Sequence, residues 1–222
     1  VTSPEHDSRL LAFFLRHGES RSNAAPGRDL PDAEGDRLTE LGHRQAELAA
    51  REVAELGVTR LWASSMRRAQ ETAAPVAAEL GLEVEVHDDL REINEGDDYG
   101  ELPGEEQRLR RWSERMAAPD PPPAGAETFA DAYARVERVK RLLLEAGDER
   151  VLAVSHGIFM RFFAIHTLLG DRFGPGDVAT LWQLRTANCG LCAFEHRPPG
   201  ADNPAPEPWR VLTWMARPWD PV

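Results

Sequence analysis

Two histidines stand in the same local setting at distant points of the chain. Arg16-His17-Gly18 follows the apolar run Leu10-Leu11-Ala12-Phe13-Phe14-Leu15, and Ser155-His156-Gly157 follows Val151-Leu152-Ala153-Val154. An apolar run bounded by polar residues predicts a buried strand, and a glycine ends each one here. Open α/β sheets bind their ligands at the carboxyl ends of strands. The pattern therefore predicts one site in which a cation and two imidazoles face a common ligand. Gly18 lets the backbone approach that ligand closely. Ser20 and Asn23 follow within one turn, and both can donate hydrogen bonds. Backbone N–H groups opening a helix make a ready anion site.

Arg68 belongs to a third strand-to-helix junction, Ser64-Ser65-Met66-Arg67-Arg68-Ala69-Gln70-Glu71-Thr72-Ala73. A guanidinium donates two bonds at once and stays charged, which fits a phosphoryl group. Arg67 reads as the surface member of the pair, matched to Glu71. Glu92 lies between Leu90 and Ile93, which implies partial burial. A carboxyl so placed near a phosphate suits a general acid working near neutral pH. Cys189 and Cys192 are three apart in a strand-like stretch, so they point to opposite faces. Without a second cysteine pair to complete a zinc site, they read as buried free thiols.

The elements that must position these residues alternate between strand and helix. Strands are expected at 10–15, 59–63, 82–87 and 151–154, with closing strands at 179–185, 188–195 and 209–215. Helices are expected from Thr39, as N-cap, to about Leu56; from a Ser64 or Ser65 cap to Leu80, ended by Gly81; and over 105–116, 127–145 and 159–169. The last two strands are joined by a Pro-rich loop, 198–208. Such alternation implies a mostly parallel sheet with helices on both faces. Trp112, Met116, Phe129 and Tyr133, at helical spacing, read as core rather than pocket lining. The segment 96–128 interrupts the alternation and reads as a lid or insertion within a single domain, 1–222.

Bulk composition narrows the function. The chain has 222 residues, 41% of them hydrophobic, and a net charge of −12. That charge argues against a nucleic-acid or acidic-membrane partner, while a few arginines suffice to make a pocket locally positive. No run approaches the ~18 apolar residues of a membrane span. Residues Val1 to Arg9 are polar, unlike a signal peptide, and a cytoplasmic protein is expected. Lys140 is the one lysine among abundant arginine and alanine, a composition suggesting a GC-rich bacterial genome. The strand Trp209–Met215 and Trp219 offer an edge for a homodimer, or a cap on the sheet.

Taken together, these residues resemble the histidine phosphatase superfamily, branch 1, the family that contains the cofactor-dependent phosphoglycerate mutases. Arg16-His17-Gly18-Glu19-Ser20 with Asn23 is similar to its nucleophile loop. Leu38-Thr39-Glu40-Leu41-Gly42 with Gln45-Ala46 is similar to the following helix start. Ser64 to Ala73 is similar to the second arginine motif, and Leu90-Arg91-Glu92-Ile93 to the acid motif. Gly125-Ala126-Glu127-Thr128-Phe129 with Asp131 and Arg135-Val136 is similar to a further family helix, and Ser155-His156-Gly157 to the second histidine motif. The resemblance covers most of the chain and implies a three-layer α/β/α sandwich of the phosphoglycerate mutase type. It also implies roles. His17 would be the nucleophile, forming a phosphohistidine. Arg16, Arg68 and His156 would surround the phosphoryl oxygens, with Asn23, Ser20 and the Gly157 N–H as helpers. Glu92 would protonate the leaving oxygen and then activate water. No cofactor and no metal are implied.

The choice between mutase and phosphatase turns on the residues just after the acid motif. Mutases of this family carry basic residues there. Here the chain reads Ile93-Asn94-Glu95-Gly96-Asp97-Asp98-Tyr99-Gly100, and its carboxylates would repel a bisphosphate. The expectation is hydrolysis of a small phosphomonoester. The alternatives are a cofactor-dependent phosphoglycerate mutase and a non-catalytic phosphate-binding module. A metal-dependent hydrolase is a further one, separable by activity in a chelator.

Overall fold

The structure, a computed structural model, describes residues 9–25, 32–94, 105–118, 125–147, 150–198 and 208–217. Strands β1 (Leu10–Arg16), β2 (Arg60–Ser64), β3 (Val84–His87), β4 (Arg150–Ser155), β5 (Leu191–His196) and β6 (Trp209–Ala216) form one sheet among the described residues, in the order β3-β2-β4-β1-β5-β6. The pairs β3/β2, β2/β4 and β4/β1 are parallel; β1/β5 and β5/β6 are antiparallel. The two His-Gly strands are therefore neighbours. Arg16 pairs with Ser155 in the ladder, which brings His17 and His156 out of the sheet side by side.

Helices cover both faces, as the alternation of elements requires. On one face lie α3 (Glu40–Val53) and α4 (Arg67–Leu80). Their contact is made by small residues: Ala46, Ala49 and Ala50 against the sheet and against Ala69, Ala73 and Val76, with Phe13, Leu15, Leu61 and Val154 beneath. Thr39 caps α3 through its hydroxyl, and Gly81, at φ 65°, ends α4. On the other face lie α5 (Glu105–Ala117), α6 (Phe129–Glu145) and α7 (Gly157–Leu169). There Phe14, Ala153 and Phe194 meet Phe159, Phe162 and Phe163. Trp112 and Met116 are buried in this core, with Phe129 and Tyr133 packed on its margin. Two short helices, α1 (Arg21–Ala24) and α2 (Asp32–Gly35), follow β1. The chain leaving β1 reaches α3 on one face and the chain leaving β4 enters α7 on the other. The carboxyl ends of β1 and β4 thus form the crevice where such sheets bind ligands.

Two expectations are corrected. Residues 179–185 are not a strand: Pro175–Gln183 is a 3-10 helix, burying Val178 and Leu181 three residues apart, the period of that helix. Pro175 at its start favours the helical φ, and Asp177 Oδ2 accepts the Gly174 N–H at 2.9 Å. Neither Ser64 nor Ser65 caps α4. Met66 occupies the N-cap position without a side-chain bond, because both hydroxyls are engaged elsewhere: Ser64 faces His156 and Ser65 faces Asp88. Cys189 and Cys192 are buried free thiols in the two opposite cores, and burial pushes each up to about 12. Of the segment 96–128, residues 105–118, with α5, and residues 125–128, which lead into α6, are described. Trp182 Nε1 donates to Ser113 Oγ at 2.7 Å, and the Trp112 and Trp182 rings meet edge to face. Residues 95–104, with the acidic stretch, lie outside the described residues, as do the 199–207 part of the Pro-rich loop and Trp219.

Candidate active site

His17 leaves the end of β1 buried, with its backbone pinned on two sides. Its N–H donates to Ser155 O at 3.0 Å, and its carbonyl accepts from Asn188 Nδ2 at 3.2 Å. Its Nδ1 lies 2.7 Å from Gly18 O. A carbonyl only accepts, so Nδ1 carries the proton and Nε2 keeps its lone pair. That lone pair faces Arg68 Nε at 3.2 Å. His156, fully buried, stands beside it with ring centroids 5.1 Å apart. Arg68 Nε also lies 3.2 Å from His156 Nδ1, so one N–H is shared between two imidazole nitrogens. Burial, then the charges of Arg68 and Arg16, hold His17 well below the ordinary imidazole range. Burial and Arg68, with smaller contributions from His17, Arg16 and Arg135, do the same to His156. Both imidazoles are neutral at neutral pH.

Arg68 is fixed from its far end. Its NH1 donates to Asp36 Oδ1 at 2.8 Å, and Asp36 Oδ2 accepts the Arg67 N–H at 2.7 Å. Arg67 turns outward to Glu71, at 2.6 Å. The expectation that separated the two arginines holds. Arg16 NH1 donates to Thr186 Oγ1 at 3.3 Å. Its guanidinium crosses the start of α7 so closely that a Cβ on Gly157 would stand 3.4 Å from Arg16 Nε. The site thus combines two guanidinium groups, two neutral imidazoles and a helix N-terminus.

Glu92 arrives from the loop after β3. Its Oε1 accepts from Phe159 N at 2.9 Å and Ile93 N at 3.0 Å, and its Oε2 from Ile158 N at 3.1 Å. The carboxyl is docked on the first turn of α7, whose N-cap is His156. Ser20 is the N-cap of α1. Its hydroxyl accepts from Asn23 N at 3.3 Å and lies 2.9 Å from Ser22 Oγ. Asn23 Oδ1 accepts from Ser20 N at 3.4 Å and from Asn188 Nδ2 at 3.2 Å, so Nδ2 is the end of its amide with hydrogens to give. Among the described residues no group of three or more His, Cys, Asp or Glu is arranged to hold a metal ion, and no helix is long and apolar enough to cross a membrane.

Several supporting residues escaped the sequence reading. Asp36 holds Arg68, Ser64 holds His156, Thr186 meets Arg16, and Asn188 bridges His17 and Asn23. Thr72 Oγ1 accepts the Gly18 N–H at 3.0 Å while donating to Arg68 O at 2.7 Å. Gln45 Oε1 accepts the Glu19 N–H at 2.8 Å. Gln45, Ser64 and Thr72 lie inside the motifs read above, so their proximity to the site was legible although their partners were not.

A strand-end site of two imidazoles and two guanidiniums on a mostly parallel sheet defines a class. The chain matches the model of the histidine phosphatase superfamily (branch 1) over residues 12–203, and it belongs to that family. It is 31% identical to a probable phosphoglycerate mutase, GpmB, of Yersinia enterocolitica over 93% of this chain and 90% of that protein. Among solved structures it resembles mycobacterial glucosyl-3-phosphoglycerate phosphatase with inorganic phosphate, at 25% identity and TM-score 0.67, covering 94% of this chain and 97% of that one. The phosphoserine phosphatase of Entamoeba histolytica, 18% identical with TM-score 0.71 over 93% and 97% of the two chains, shares the fold.

Proposed function

We propose that the protein is a metal-independent phosphomonoesterase that hydrolyses a small phosphorylated metabolite through a phosphohistidine on His17. The observation that carries the reading is the His17 imidazole: Nδ1 is committed to Gly18 O, and the Nε2 lone pair faces Arg68 and His156. In the first step Nε2 attacks phosphorus. The P–N bond forms as the bond to the ester oxygen breaks, and Glu92 gives that oxygen its proton. In the second step water attacks phosphorus, passes a proton to Glu92, and the P–N bond breaks to release phosphate. Arg16 and Arg68 supply the positive charge that phosphoryl transfer requires, with the Gly157 N–H and Asn23 as further donors and His156 as another once the bound phosphoryl group favours its protonation. Ser20 serves through the cap that orients Asn23.

A mutase is the second reading, favoured by the name of the Yersinia relative. The carboxylates of Glu95, Asp97 and Asp98 in the segment after Glu92 favour hydrolysis. The test is p-nitrophenyl phosphate hydrolysis in EDTA by the wild type and by His17→Ala, with 3-phosphoglycerate isomerisation assayed alongside. Chelator-resistant hydrolysis lost in the variant is the expected result. Strong isomerisation with bisphosphoglycerate and no hydrolysis makes the protein a mutase. Silence in both assays leaves a narrow-specificity phosphatase or a non-catalytic phosphate-binding module.

A further inference from the structure

The loop that carries Glu92 has no regular ladder of its own after the 3-10 turn Asp88–Leu90, so its backbone groups need side-chain partners. Two residues of α6 and its N-terminal lead-in supply most of them. Arg135 NH1 donates to the carbonyls of Asp89, at 3.0 Å, and Arg91, at 2.5 Å. Glu127 Oε2 accepts the Asn94 N–H at 2.8 Å, and the Glu127 N–H donates to Asn94 O at 3.0 Å. Arg135 and Glu127 are joined by a two-pronged ion pair, Nε to Oε1 at 2.9 Å and NH2 to Oε2 at 2.7 Å. The loop is held on both sides of Glu92 by a single rigid pair.

The same guanidinium reaches the other side of the Glu92 carboxyl. Its carbon lies 5.0 Å from the centroid of the Phe159 ring, and Phe159 N is one of the donors to Glu92 Oε1. Arg135 is thus in contact with the backbone that leads into Glu92 and with the helix turn on which its carboxyl is docked. It is 6% exposed, and a side chain with five donors in a planar fork suits such a junction.

Resting on the phosphatase reading, we infer that Arg135, held by Glu127, is the positioning residue of the acid–base step. It fixes the Glu92 carboxyl where the leaving oxygen receives its proton. A proton matters most to a basic leaving group. Phenoxide needs one, whereas the nitro group lets p-nitrophenolate depart without it. The two esters have nearly the same shape, so a binding or folding defect affects them alike.

The experiment compares kcat/KM for phenyl phosphate and p-nitrophenyl phosphate, because that ratio reports the steps up to phosphohistidine formation. The proteins are the wild type, Glu92→Gln, Arg135→Lys, and the double variant Arg135→Met with Glu127→Gln, which removes both charges and leaves no buried carboxylate unpaired. Glu92→Gln and both Arg135 variants are expected to lose about tenfold more on phenyl phosphate than on p-nitrophenyl phosphate, a part of the roughly 10²–10⁴-fold that general acid catalysis supplies. A split in Glu92→Gln but equal losses, or none, in both Arg135 variants overturns the inference and spares the phosphatase reading. Equal losses in Glu92→Gln remove Glu92 as the acid, and the inference with it. A wild type that hydrolyses neither ester overturns both.

Discussion

Ser64 Oγ, at the end of β2, lies 2.8 Å from Nε2 of His156, and this contact decides which nitrogen of that ring faces the site. Ser64 Oγ also accepts the Met66 N–H at 3.2 Å. With Arg68 donating to His156 Nδ1, the ring proton resides on Nε2 and points at the serine. Ser64→Ala leaves the buried His156 Nε2–H and the part-buried Met66 N–H without their acceptor. The expected result is a loss of about 1–3 kcal/mol in stability. A fall in kcat larger than the change in KM is expected with it, because the ring loses its fixed tautomer. Urea unfolding and steady-state kinetics check both. Unchanged stability would mean that His156 is not held from β2.

The adjacent arginines of α4 give a contrast within one peptide bond. Arg67 pairs with Glu71 at the surface, a contact worth about 0–1 kcal/mol. Arg68 touches both imidazoles. Arg67→Ala is expected to keep activity within a factor of about two. Arg68→Ala is expected to lose about a hundredfold or more in kcat/KM, the scale of removing one charge-stabilising donor. Equal losses in the two variants would place the phosphate elsewhere.

The buried histidines set a direction for pH dependence. His17 and His156 lie well below the ordinary imidazole value, His166 is lowered to about 4 by burial and the charge of Lys140, and His87 and His196 shift the same way. A histidine with a lowered folded pKa binds its proton in the unfolded chain first. Stability is therefore full above about pH 6.5, the unfolded value, and falls as pH drops toward the folded value. For His166 that window runs from about 6.5 to about 4, or about 3 kcal/mol at one to two kcal/mol per unit. An oxyanion beside His17 and His156 favours their protonation. Sulfate, whose charge is constant over this range, is expected to raise the melting temperature more at pH 5.5 than at pH 7.5. A larger effect at pH 7.5 would mean that the anion does not sit between the imidazoles.

The residues that a reader can find in this sequence are those whose types recur at strand ends. His17, His156 and Arg68 announce themselves because an apolar run, a break and a reactive side chain occur together each time. The pair β1/β4 follows less directly, since only the structure shows that two distant runs are neighbours. Asp36 and Asn188 carry no such signal. Asp36 reaches Arg68 across 32 residues and Asn188 reaches His17 across 171, so each acts through a tertiary contact that local pattern does not encode. The stretch 179–185 misleads for a different reason. Trp182 and Leu184 lie two apart, the spacing of a strand, whereas Val178 and Leu181 lie three apart, the spacing of the helix, and the Gly174-Pro175 start decides for the helix.

The loop that carries His17 also depends on two glycines that face each other. Gly18 stands against the Gly42 carbonyl, and Gly42 against the backbone of Glu19, so closely that a Cβ on either would overlap the other's chain. The contact is backbone on backbone, with Thr39 N donating to Glu19 O at 2.9 Å and Gln45 holding the Glu19 N–H. Nothing there can rotate aside. Gly42→Ala introduces the residue that most favours helix, and by propensity alone it would stabilise α3 by about 1 kcal/mol. Overlap outweighs that gain, because forced backbone shifts cost about 1–3 kcal/mol and the displaced loop carries His17. Gly42→Ala is expected to melt at lower urea and to lose activity, while Ala46→Gly, on the same helix, costs stability and leaves the catalytic rate of the folded protein near the wild type. A Gly42→Ala protein as stable and active as its parent would show that α3 does not seat the loop that carries His17.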